Sequence, residues 1–328
     1  MPPRCRPSWR RRGAADVAAR AQPRILAPAP GTAADATRPE WSRDGADWPN
    51  RAASSFVEAG GLRWHLQVMG RGPVLLLVHG TAASTHSWRD LMPALAERFT
   101  VVAPDLPGHG FTGIPAGHGL TLPGMARALG DLVAALDIAP VLVVGHSAGA
   151  AILLRMTLDG TLAPRGVIGL NAALLPLGEA HAALFSRLAR VLAGLPFVPR
   201  LFAWQASRRA VAEKLLADTG SRLDRRGIDL YARLFRYPSH IGSALRMMAQ
   251  WDLRPLLRDL PRLAAPLLLV VGTGDRAVPP HQATQVRQRL PATRILRLPG
   301  LGHLAHEEDA ERVAGLILQE AAACGALP

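Results

Sequence analysis

Val141-Leu142-Val143-Val144-Gly145-His146-Ser147-Ala148-Gly149-Ala150-Ala151 is the stretch on which the fold turns. Its first residues are apolar and mostly β-branched, as in a buried strand, whereas residues 148–158 are rich in helix formers. Ser147 therefore sits where a strand turns sharply into a helix, flanked by glycines that relieve crowding. Such a turn projects the serine hydroxyl above the sheet. It also aims the Ala148 amide and the helix N-terminus at any negative charge developing nearby. Ser147 is the candidate nucleophile, but Gly-x-Ser-x-Gly patterns also arise by chance, so the reading depends on finding its partners further along the chain.

A hydroxyl is too weak an acid to attack unaided and needs a base, which in turn needs an orienting acid. Both occur downstream in the order this topology requires. The apolar run over residues 266–271 ends in Gly272-Thr273-Gly274-Asp275, which places Asp275 beyond the C-terminal end of a strand, where open α/β sheets build their sites. A short strand over residues 294–298 leads into Pro299-Gly300-Leu301-Gly302-His303. The spacing leaves room for one helix and one strand between the two. Asp275 as a turn residue and His303 as a surface histidine are each credible alone, but together with the turn at Ser147 they read as a Ser147–His303–Asp275 triad. Asn171 holds the alternative acid position, beyond the strand over residues 167–170, which favours Asp275. Upstream, Val74-Leu75-Leu76-Leu77-Val78 reads as a strand ending in His79-Gly80-Thr81-Ala82. Its loop offers the Thr81 amide as a partner for that of Ala148 in an oxyanion hole. His79, Gly80, His146, Met248 and Trp251 are candidate pocket residues, although Met247, Met248 and Trp251 read equally as core.

The 328 residues, 49% of them hydrophobic, suffice for a large core. Cys5 and Cys324, at opposite ends, indicate neither a disulfide framework nor a metal site and fit a reducing, cytoplasmic compartment. No cofactor-binding cluster, signal peptide or membrane span is legible. Residues 1–47 carry nine arginines against five acids, about +4, without periodicity, and read as a disordered Arg/Pro/Ala-rich extension with little claim on nucleic acid. Leu62, Trp64, Leu66 and Val68 alternate with polar residues as in a half-buried strand, and Gly70-Arg71-Gly72-Pro73 is expected to turn it back into a hairpin. Trp88, Leu91 and Leu95 mark a helix begun near Thr85 or Ser87. Leu122, Met125, Leu129, Val133 and Leu136 mark another. Asp105 and His109, in a glycine-rich loop, are expected to shape the pocket. Residues 48–171 and 255–328 thus form a doubly wound, mostly parallel α/β core. The strand–helix alternation stops over 172–254, where Leu184, Leu188, Leu192, Leu201, Trp204, Leu215 and Leu216 suggest a helical cap. Over 171–250, twelve basic residues oppose five acidic, so an anionic substrate is one reading. With 37 arginines and a single lysine, Lys214, solvation of an arginine-rich surface is the other.

The chain carries the runs Asp47-Trp48-Pro49-Asn50-Arg51, Thr85-His86-Ser87-Trp88-Arg89-Asp90-Leu91, Pro107-Gly108-His109-Gly110-Phe111-Thr112, Gly145-His146-Ser147-Ala148-Gly149-Ala150-Ala151, Met247-Met248-Ala249-Gln250-Trp251-Asp252-Leu253 and Leu301-Gly302-His303-Leu304-Ala305-His306-Glu307-Glu308. On these runs, from about Trp48 to Ala310, it resembles the magnesium chelatase accessory branch of the α/β-hydrolase superfamily, which serves bacteriochlorophyll biosynthesis. Residues 1–47 depart from it. The resemblance implies an α/β-hydrolase fold, a role beside magnesium insertion with association with magnesium chelatase, and a location in the cytoplasm or at the periphery of a photosynthetic membrane; with the triad and the charge of residues 171–250, the reading is a serine hydrolase acting on an ester or related acyl bond of a small-molecule substrate such as an anionic tetrapyrrole. A non-catalytic module holding a porphyrin or the chelatase, and a general carboxylesterase or perhydrolase, are the competing readings. A serine at position 147 argues against dehalogenase or epoxide hydrolase chemistry, which needs a carboxylate there.

Overall fold

The structure is a computed structural model that describes residues 37–176, 198–206 and 208–327. Eight strands form one sheet: β1 (Ser54–Ala59), β2 (Leu62–Met69), β3 (Val74–Val78), β4 (Thr100–Pro104), β5 (Leu142–His146), β6 (Gly166–Leu170), β7 (Leu267–Gly272) and β8 (Arg294–Leu298). Their spatial order is β1-β2-β4-β3-β5-β6-β7-β8. β1 and β2 run antiparallel to their neighbours and the rest are parallel. The central strands β3, β5, β6 and β7 are apolar almost throughout because helices cover both faces. The outer strand β8 is correspondingly only partly buried.

On one face, α3 (Leu122–Ala135) and α4 (Ala148–Leu158) enclose a core with Met125, Leu129, Ile152 and Leu153. Thr121 caps α3, its hydroxyl accepting from the Gly124 amide at 3.2 Å. The other face packs α2 (Leu91–Ala96) and the C-terminal α12 (Ala310–Ala323) through Leu91, Leu95, Val313 and Ile317. Trp88, Leu91 and Leu95 are all fully buried, although a short 3-10 turn over Thr85–Trp88 precedes α2 where one continuous helix is expected.

The hairpin differs from expectation. β1 turns into β2 through Gly60 and Gly61, both at positive φ, whereas residues 70–73 lead into a parallel β3 with β4 inserted between β2 and β3. β2 is thus interior, and its polar residues His65 and Gln67 are wholly buried. Their nitrogens find partners there: His65 Nδ1 meets Asp105 Oδ2 at 2.8 Å, and Gln67 donates to the Pro49 carbonyl at 2.6 Å, although Gln67 Oε1 has none.

Between β6 and β7 lie α5 (Val198–Ala206), α6 (Arg209–Asp218), α7 (Arg225–Phe235) and α8 (Pro238–Ala249). Then α9 (Arg254–Asp259) returns to the core, where Leu256 is buried, and α10 (His281–Arg289) joins β7 to β8. Leu184, Leu188 and Leu192 lie outside the described residues. Leu216 is buried and Leu215 half-buried, but Leu201 and Trp204, expected as apolar cap positions, are exposed. Residues 37–47, expected to be part of a disordered extension, are instead fastened to the cap. Asp44, within α1 (Trp41–Asp44), accepts from the Tyr237 hydroxyl at 2.5 Å, and Arg233 pairs with Asp47 at 2.6 Å.

Candidate active site

Ser147 sits between β5 and α4 at φ 51° and ψ −118°, a conformation that costs a non-glycine residue on the order of 1–3 kcal/mol. The surroundings enforce it. The Ser147 amide donates to the Leu170 carbonyl at 3.0 Å, and its carbonyl accepts from Ala150 and Ala173. A Cβ at Gly145 would lie 2.4 Å from the Ala150 nitrogen, and one at Gly149 would lie 2.2 Å from the Val78 carbonyl oxygen. Both positions therefore demand glycine, and the N-terminus of α4 is pressed against the end of β3. A Cβ on Gly80 would stand 3.0 Å from Ser147 Cβ, so the backbone of the His79-Gly80-Thr81 loop borders the serine. Ala148 begins α4, and its amide is one of the donors that a helix leaves unpaired.

His303, in the loop between β8 and α11 (Ala305–Glu308), presents Nδ1 to Asp275 Oδ2 at 2.8 Å. Oδ1 of Asp275 accepts from the Ala277 and Val278 amides at 2.8 Å each, and Oδ2 also accepts from Asn171 Nδ2 at 2.7 Å. This donor set suits an ionised carboxylate and directs the Nδ1 proton of the imidazole toward it, leaving Nε2 free to accept. Asn171 also donates to the Gly302 carbonyl at 3.2 Å, tying the acid to the histidine loop. Sequence reasoning weighed Asn171 only as an empty acid position. Its place just past β6, one strand from Asp275, was the available signal.

The candidate pocket residues divide. His79 is fully buried: Nδ1 donates to the Gly80 carbonyl at 2.7 Å and Nε2 accepts from the Leu106 amide at 2.8 Å, so it braces the Gly80–Thr81 loop from below. Burial lowers its pKa and keeps it neutral. His146 is likewise buried, donating through Nε2 to the His303 carbonyl at 3.0 Å with its ring 4.8 Å from that of His303. Burial, with His306 and His303 close by, drives its pKa well below the usual histidine range. Both therefore hold other groups in place. Met248 is 50% exposed on the outer surface, whereas Met247 is fully buried and its sulfur lies 3.6 Å from the Thr81 hydroxyl. The inward methionine is the neighbour of the expected one, since consecutive helix residues diverge by about 100°. Trp251 is half-buried against the core, its indole nitrogen unpartnered.

Asp105 is a hub, receiving His65 Nδ1 and the amides of Thr85 and Phe111. Burial alone would raise its pKa, but attraction to and hydrogen bonding by His65 hold it at about 2. His240, which sequence reasoning did not single out, joins the cap to the loops. Its Nδ1 accepts from the Gly110 amide and its Nε2 donates to the Ala82 carbonyl, both at 3.1 Å. A second joint pairs Arg89 with Glu307, whose carboxylate also accepts from the Tyr231 hydroxyl at 2.8 Å. Burial pushes Glu307 up to about 7, even though Arg89 and Tyr231 favour its charge.

A model of the alpha/beta hydrolase fold matches residues 73–310, and the chain belongs to that family. Within it, the chain is 44% identical over 276 residues to the magnesium-chelatase 30 kDa subunit of Rhodobacter capsulatus, an alignment covering 83% of this chain and 96% of the relative. Among solved structures, an alpha/beta hydrolase fold protein from Burkholderia ambifaria aligns at a TM-score of 0.69 with 25% identity, covering 81% of this chain and 97% of that one. An epoxide hydrolase aligns at 0.71 with 23% identity, covering 82% and 98%, a likeness of fold alone.

Proposed function

We propose that the chain is a serine hydrolase acting on an ester or related acyl bond, and that it serves magnesium-porphyrin and bacteriochlorophyll synthesis beside magnesium chelatase. The observations that carry the first half are the 2.8 Å His303–Asp275 contact and the strained backbone of Ser147, whose neighbour His146 donates to the His303 carbonyl. In this reading His303 takes the Ser147 proton through Nε2 as the hydroxyl attacks the carbonyl carbon. The amides of Thr81 and Ala148 receive the developing oxyanion, and His303 then returns the proton to the leaving group. A water molecule, activated the same way, releases the acyl group and restores the serine. The pathway half rests on the name of the Rhodobacter capsulatus relative, and the cap's excess of arginines suits an anionic tetrapyrrole ester.

The same name supports a second reading, in which the fold binds the chelatase or a porphyrin and the triad is idle. A fluorophosphonate probe separates the two. Stoichiometric labelling that disappears in Ser147→Ala supports the hydrolase, and no labelling of the wild-type chain refutes it. Restoration of pigment synthesis by Ser147→Ala in a deletion strain would sever hydrolysis from the pathway role.

A further inference from the structure

α5 and α8 lie side by side on the outside of the cap, with Gly242 of α8 facing Pro199 of α5 so closely that a Cβ there would lie 3.5 Å from the proline ring. Two features meet there. Leu201 and Trp204, three residues apart and hence on one side of α5, are 51% and 60% exposed, although large apolar side chains gain roughly 1.5–3 kcal/mol from burial. Beside them is a cleft of about 300 Å3 lined by Thr37, Pro199, Arg200, Pro238, Ser239 and Arg246. Among the described residues Arg200 and Arg246 pair with no carboxylate, and Arg246 Nε donates to the Gly242 carbonyl within α8. Arg208 lies over the Trp204 ring at 5.1 Å. Met248 adds a half-exposed apolar side chain at the end of α8.

Indole and leucine side chains flanked by guanidinium groups that have no carboxylate partner match a boundary that is apolar on one side and anionic on the other. We propose that this face of α5 and α8 docks on an anionic phospholipid surface, with Arg200 and Arg246 receiving headgroup phosphate and Leu201 and Trp204 entering the acyl boundary. The opposite side of α8 carries Met247, against the Thr81 hydroxyl, and His240, bonded to Ala82 and Gly110. One helix therefore connects the docking face to the loops around Ser147, and docking would place the site beside amphiphilic molecules held in the membrane.

The test is flotation of the full chain with vesicles of phosphatidylcholine alone and of phosphatidylcholine with phosphatidylglycerol. The expected result is binding only to the anionic vesicles, weakened by salt. Arg200→Gln and Arg246→Gln should each lower the partition coefficient about fivefold, Leu201→Asp should abolish it, and Arg226→Gln, in a separate cleft on α7 lined by Asp47, Asp224, Arg225 and Asp229, should leave it unchanged. Circular dichroism and thermal unfolding of each variant report that the fold is intact, and neither these nor vesicle binding depends on whether Ser147 is reactive. The proposal falls if anionic vesicles do not bind. It also falls if Arg226→Gln matters as much as Arg200→Gln, which would mean diffuse attraction. Inorganic phosphate bound in the cleft without vesicle binding, or Leu201→Asp splitting a dimer that ignores vesicles, would equally overturn it.

Discussion

At the scale of single residues, the proposed mechanism depends on one imidazole held in one tautomer. Asp275→Asn keeps the shape but offers His303 a donor in place of an acceptor, and the expected cost in kcat is about four orders of magnitude, with ester turnover as the readout. Asn171 gives a finer probe. Its amide lies 2.7 Å from Asp275 Oδ2, so Asn171→Asp would put a second carboxylate beside the first. Two carboxylates that close cannot both ionise, so the pair would hold one proton and weaken the acceptor that orients His303; kcat is expected to fall at least about tenfold in ester turnover, and an unchanged kcat would remove Asn171 from the relay. Gly149→Ala addresses the fold of the same turn. Its methyl group has nowhere to go beside the Val78 and His79 carbonyls, and a loss of at least about 3 kcal/mol in urea unfolding is expected.

At the scale of elements, the strands and the order of the three candidate catalytic residues were legible because each is a local pattern: an apolar run, then a glycine-rich turn, then a polar side chain. What escaped depends on partners far along the chain. Nothing near residue 240 says that a cap histidine will span Gly110 and Ala82, and nothing near His65 says that β2 is interior, because those facts belong to the placing of β4 between β2 and β3. Helical spacing likewise marks Leu201 and Trp204 as apolar without saying which way α5 faces. His240 makes the cap's attachment testable. His240→Phe leaves the Gly110 amide and the Ala82 carbonyl without their partner, at a cost of about 2 kcal/mol and a fall of several degrees in Tm. Because both bonds lie beside the proposed oxyanion loop and away from the reacting atoms, KM should rise more than kcat falls. The reverse split would place His240 in the chemistry instead of the scaffold.

Across the whole molecule, six buried histidines share one property. Burial lowers the pKa of His79, His86, His109 and His146, brings His240 to about 4 and takes His306 to about 3. Unfolding releases each to its ordinary value of about 6.5. Between the two values the unfolded chain binds more protons than the folded one, so the stability these groups contribute is complete above about pH 6.5 and drains away as pH falls toward 4. Glu307 acts in the opposite sense. Held at about 7 when folded, it binds a proton that the unfolded chain gives up above about 4.5, so its contribution is lost as pH rises through that interval. Asp105, at about 2, contributes stability that persists until the pH drops below about 4. Six groups against one decide the sign: the urea midpoint is expected to fall steadily from pH 7 to pH 4.5, and a flat profile would contradict the burial of these rings. Glu307→Gln removes the opposing group, so the decline should steepen in that variant even though the loss of its pairing with Arg89 lowers the midpoint at every pH above 7.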